Sequence, residues 1–204
     1  MAQIAAPAPG VAAEEHAPPE IPDFQIVPRA GLPIVAAIAI AVIVVIAENK
    51  FFSLELLHLA GGASWTIIDL FLGFVLGPIM GAMPVPARIQ FTTRLMPKML
   101  LIMPTVVTVT LAAGWQLGNK LGTVQSTYYH HSWVVASYIV VGVMAVIALG
   151  LLEPANVAVL VELKKKKPNP AVIERLMKRF MYSAGILGAM QIATLVIMSK
   201  LRTG

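Results

Sequence analysis

From Ala30 to Ala47 the chain carries no charged residue, and four later stretches of similar or greater length are nearly as bare. About 17–25 predominantly apolar residues make one membrane-crossing helix, and in lipid only a helix or a closed barrel satisfies its own backbone. The second stretch runs from Ser53 to about Met83, interrupted by His58 and Asp69. The third covers roughly Met99 to Leu117, the fourth Trp133 to Leu152 and the fifth Phe180 to Met198. Composition agrees: hydrophobic residues are 58% and charged residues 12% of the chain, against roughly 45–50% and 25% in a soluble domain. The expected fold is therefore all-α: an integral membrane bundle of about five transmembrane helices, or four if the short first run stays out.

Residues 1–28 differ from everything after them. They form a Pro/Ala-rich acidic tail (Glu14, Glu15, Glu20, Asp23) with no apolar periodicity, and disorder is the expectation. The tail lacks the basic n-region of a signal peptide. Residues 29–204 are read as the bundle.

Arg88, Arg94 and Lys98, bounded by Pro84, Pro86 and Pro97, read as an interfacial turn or amphipathic helix between spans two and three. Glu153-Pro154 reads as a helix boundary, since proline damages a helix interior. The stretch from there to Leu163 would extend beyond the bilayer. The last helix should begin amphipathic, at Glu174, Arg175, Lys178 and Arg179.

Lys and Arg in short loops set orientation. The segment between spans two and three holds three and that between four and five holds seven, whereas Lys50 and Lys120 stand alone in the opposite loops. This predicts a multi-pass protein of a bacterial inner membrane, with the N-terminus cytoplasmic and the C-terminus outside. The net charge of +5 is thereby read as topology, not as a nucleic-acid footprint, and the lipid bilayer is the expected partner. There is no cysteine, which excludes disulfides, thiolate metal sites and thiol catalysis. No P-loop, dinucleotide fingerprint, HExxH or nucleophile elbow occurs, so the common hydrolase and kinase chemistries are not expected.

Polar residues at membrane depth carry the functional signal, because each ion costs about 2.5–3.5 kcal/mol on insertion scales. His58 and Asp69 are eleven residues apart, about three turns, and so share one side of their helix, as does Trp65. Asp69 reads either as a carboxyl hydrogen-bonded inside the bundle, with Thr105 or Thr108 as partner, or as a proton relay or counter-charge to a cation. Gly73, Gly77 and Gly81 form a small-xxx-small ladder that admits a close neighbour. His130 and His131 fall on the same side of the membrane as His58, and two imidazoles on facing helices can ligate haem iron or a transition metal. Tyr128, Tyr129 and Trp133 around them also fit an interfacial aromatic belt. Met96, Met99 and Met103, with Met80 and Met83 nearby, suit Cu(I) or plain gap-filling packing.

Leu56-Leu57-His58 with Ser64-Trp65 resembles the opening helix of the HemJ-type protoporphyrinogen oxidases and is similar to the "LH…W" helix of CopD-like membrane proteins. The likeness extends through Arg94-Leu95 and Ile102-Met103-Pro104 to Gly114, within residues 52–140. It implies a small helical bundle holding haem b through His58; from their own placement along the chain, His130 or His131 is the expected second ligand and Trp65 an apolar wall. HemJ proteins carry a functional lysine four residues after a tryptophan of the next span; counted from Trp133, Ser137 stands there. Porphyrinogen oxidation is accordingly not expected.

Three functions follow as expectations. One is a haem-b protein serving membrane electron transfer, with other membrane redox proteins or a second copy as partners. Another is a metal or small-solute transporter or channel-like subunit working through Asp69, the glycine ladder and the methionines. The third is a non-catalytic anchor or assembly subunit.

Overall fold

The structure, a computed structural model, describes residues 22–203 apart from Val124. The disorder expected of residues 1–21 lies outside the described residues. All regular structure among the described residues is helical: α1 (Leu32–Glu48), α2 (Phe51–Leu70), α3 (Gly77–Ala82), α4 (Val85–Leu121), α5 (His131–Ile147), α6 (Glu153–Leu163) and α7 (Pro170–Thr203). A π segment, Phe71–Leu76, joins α2 to α3 without a break, and another, Ala148–Leu152, joins α5 to α6. The result is five helices long and apolar enough to cross a membrane: Arg29–Glu48, Phe51–Ala82, Val85–Leu121, His131–Leu163 and Pro170–Leu201. The last four have 32 to 37 residues, about 48–56 Å at 1.5 Å per residue, well beyond the roughly 30 Å of a hydrocarbon core.

Both π segments have the same cause. Pro78 has no N–H and its ring would strike the carbonyl four residues back, so the Gly77 N–H reaches Leu72 O, five residues back. Pro154 does the same to its helix, and the Glu153 N–H bonds to Ala148 O. Gly73 O and Leu149 O are left with neither their i+4 donor, which is diverted, nor an i+5 donor, which is proline. Glu153-Pro154 is thus a register step inside one continuous helix, not the boundary its proline suggested.

The basic segment at Arg88, Arg94 and Lys98 is likewise no separate interfacial piece. It is the first part of α4, which contains Pro97 and Pro104 in its interior. Threonine hydroxyls supply donors along this helix: Thr92 to Arg88 O, Thr93 to Gln90 O, Thr105 to Leu101 O and Thr110 to Val106 O, at 2.6–2.9 Å. None of these four bonds reaches Thr93 O or Leu100 O, the carbonyls that Pro97 and Pro104 leave without an i+4 donor; they are back-bonds within the helix's own turns.

Turns are sharply built. Asn49, at φ 50°, ends α1 in the left-handed region and Gly122, at φ 64°, ends α4, the usual way to close a helix. Asn169 Oδ1 accepts the N–H groups of Ala171 and Val172 at the start of α7, with Pro170 in the first turn, a side-chain cap.

The core runs down the axis between α2, α4, α5, α6 and α7, with Trp65, Leu72, Met96, Met144, Leu160 and Phe180 in one cluster. Met80, Met99 and Met103 belong to the same cluster, so the methionine stripe is used as packing. Helix α1 lies outside against α4, with Gly31 against Leu101, and Val42 is its one buried residue. Residues 22–28 carry no regular helix, yet Phe24 and Ile26 pack on the core and Asp23 pairs with Lys164 at 2.9 Å. The 164–167 lysines and this segment therefore share one end of the bundle. Gln116 bonds Asn49 across the opposite end.

Candidate functional site

The buried stripe of α2 is Leu54, Gly61, Trp65 and Asp69, the spacing of one helix face turned to neighbours. Its members meet different helices. In the first half of α2, Gly61 and His58 lie on α4: a Cβ on Gly61 would stand 2.6 Å from Thr110 Oγ1, and one on Gly114 would stand 2.6 Å from the His58 ring. The absence of side chains at Gly61 and Gly114 is what lets the imidazole in. His58 Nδ1–H donates to the Thr110 carbonyl at 2.9 Å. That bond puts the proton on Nδ1 and leaves Nε2 as the lone-pair nitrogen of the neutral ring.

Further along, the stripe meets α7. Asp69 is fully buried, and Gln191 Nε2 donates to its Oδ2 at 2.9 Å. The Thr66 hydroxyl lies against Gln191 Oε1 and also against Gly62 O at 2.8 Å, so one proton serves two acceptors. Asp69 Oδ1 and Trp65 Nε1, one turn apart, are both buried without a hydrogen bond of normal geometry. The carboxyl is thus held by Gln191 on Oδ2, with the Trp65 indole as its second hydrogen-bonding neighbour. Thr105 and Thr108 were the expected partners; Gln191 takes that place, while the Thr105 hydroxyl turns back to its own helix. Just below, the glycine ladder gives α7 its closest approach at Gly73, opposite Gly185. Gly77 has ordinary clearance and Gly81 faces open space.

A second polar pair follows the other π segment. Glu153 and the fully buried Asn156, three residues apart, are set against each other, the amide toward the carboxylate, though no bond between them reaches normal geometry. Asp69 and Glu153 therefore each sit with a side-chain amide close to a π segment, a feature frequently found at functional sites.

His130 precedes α5 with its ring 4.4 Å from that of Tyr129, and His131 is the first residue of α5, its Nδ1 buried without a partner. Among the described residues no three of His, Asp or Glu come together as a metal-holding group. For a haem, the fitting feature is the free Nε2 of His58, because a ligating imidazole commonly donates its other N–H to a carbonyl. Trp65 is 3% exposed and belongs to the core cluster.

Gln191, Thr66, Glu153 and Asn156 were not singled out in the sequence as site residues. Gln191 had a signal, being an amide in an otherwise apolar run; Asn156 had the same one, three residues from an acid. No protein-family model, curated protein or solved structure matches the chain.

Proposed function

We propose that the chain is a proton-conducting transport subunit of a bacterial inner membrane, with Asp69 as the group that takes up and releases the proton. Its five long apolar helices cross the bilayer, and the end carrying Lys164–Lys167 faces the cytoplasm by the positive-inside rule. The observation that carries the reading is the Asp69 carboxyl, fully buried at mid-helix with no cation beside it among the described residues and only the Gln191 amide and the Trp65 indole as neutral donors. A carboxyl in that setting is costly to keep for packing alone and suits proton relay. Thr66 and Gln191 supply exchangeable donors beside it, and Glu153 with Asn156 offers a further station. The test is purified protein in vesicles loaded with a pH-sensitive dye, driven by a potassium diffusion potential. Uptake of protons that Asp69→Asn abolishes, in protein that remains monodisperse, is the expected result. Equal rates in parent and variant, or no flux above empty vesicles, overturn it.

One specific observation favours a second reading, haem b held by His58 for membrane electron transfer: the Nδ1–Thr110 bond leaves Nε2 free for iron. A haem would supply one-electron redox chemistry, and the chain would fix the ring through Thr110 and Gly114. A pyridine haemochrome signal from haem-replete membranes that is lost in His58→Ala supports it. A folded preparation without Soret absorbance ends it.

A further inference from the structure

Between α3 and α7, at the basic end, lies a furrow of about 360 Å³. Gly77, Met80 and Gly81 form one wall and Met177 and Met181 the other, with Arg88 and Lys178 at its edge. A Cβ on Gly81 would meet nothing within 4 Å, so the furrow widens away from the tight Gly73–Gly185 crossing toward the charged end.

Arg88 is anchored there. Its Nη2 donates to Gly81 O at 3.1 Å and Met83 O at 2.9 Å, closing the end of α3. Its Nε is buried with no hydrogen-bond partner. The guanidinium is therefore fixed in orientation with donor capacity left over, a poor arrangement unless an acceptor arrives. Lys178 Nζ sits 2.8 Å from Glu174 Oε1, and the Tyr182 hydroxyl also borders the furrow. Arg88, Lys178 and Glu174 sum to one positive charge, the complement of a single phosphodiester. A free anion would use only the charged rim. The apolar slot beside it, on the face where Phe74, Ile79 and Ile186 are exposed, asks for a tail.

We infer that this furrow binds one anionic phospholipid, its phosphate on Arg88 and Lys178 and an acyl chain along Gly77 and Gly81. Basic pockets between membrane helices take anionic headgroups in this way. The inference rests on the membrane placement proposed above but not on the role of Asp69.

Native mass spectrometry of the detergent-purified chain with phosphatidylglycerol or phosphatidylcholine tests it. Selective retention of one phosphatidylglycerol is expected. Lys178→Gln should weaken it roughly fivefold, the loss of one cation near the headgroup. Gly81→Leu should block it with no change of charge, whereas changing Lys164–Lys167 to glutamine should leave it intact. Arg88→Gln removes the α3 closure as well, so the Lys178 and Gly81 variants decide. Equal retention of the two lipids, insensitivity to Gly81→Leu, or displacement by glycerol phosphate as effective as by lipid would each overturn the assignment. Asp69→Asn should retain the lipid whatever the flux assay returns, which separates failure here from failure of the transport reading.

Discussion

Gly73 and Gly185 meet backbone to backbone: a Cβ on Gly73 would stand 2.5 Å from Gly185 Cα. No rotamer change relieves a contact between main chains, so α2 and α7 would have to part. Gly73→Ala should destabilise the bundle by about 1–3 kcal/mol, the usual range for overpacking. Gly81→Ala, which points into open space, should stay within about 0.5 kcal/mol of the parent. Thermal unfolding in detergent reads both, and equal midpoints for the two variants would contradict the crossing.

The Gln191–Asp69 bond predicts a coupling. Gln191→Leu strips the carboxyl of the hydrogen bond on Oδ2 and should cost about 1–3 kcal/mol. In Asp69→Leu the same second change should cost much less, because no carboxyl is left to strand. A double-mutant cycle with additive effects would show that the two side chains do not act on each other.

Pro78 predicts a register effect. Gly77 lies with its Cβ position 3.9 Å from Met181 Cβ, within the spacing a disulfide needs, and the chain has no cysteine of its own. Gly77→Cys with Met181→Cys should therefore cross-link. Adding Pro78→Ala restores the missing N–H, lets the π segment relax to an α-helix and turns residue 77 away. Cross-linking of undiminished efficiency in the triple variant would refute the proline as cause.

How much of this was legible follows from that same step. Five helices could be read from five bare runs, because bilayer length is a strong filter. Along α2 the buried stripe could be read down to Asp69 by the helical period. Beyond it, Leu72 and Met80 are both buried although eight residues apart, nearly a quarter turn out of phase on an ideal helix. They share a face because the π segment absorbs one residue. A periodicity argument cannot see that insertion, and a proline there looks like an end. The partner of Asp69 was hidden for a different reason: which helix faces α2 at that level is a tertiary fact. Counting polar residues found candidates on α4, while the contact comes from α7.

The ion pair at the end of the bundle gives a pH dependence. Lys164, through its hydrogen bond and charge, holds the Asp23 carboxyl below its ordinary value of 3.8. A depressed folded value means the link is present at neutral pH and is lost as acid takes the solution below about pH 4. Amide exchange of Phe24 to Val27 should accelerate in acid, relative to intrinsic rates, and Lys164→Ala should give that acceleration at neutral pH. Exchange that ignores both changes would show that the apolar contacts of Phe24 and Ile26 hold the segment alone.

Four of the helices outrun a hydrocarbon core by about 18–26 Å. Within a bilayer, that surplus gives the bundle latitude in hydrophobic mismatch. Where the surplus is apolar, a thicker membrane would cover another turn of rod that is already folded and packed; at Arg88 to Lys98 and Glu174 to Arg179 the charges set the limit. Only α1, from Leu32 to Glu48, has no such reserve. Of the five helices it should be the one that answers to lipid chain length.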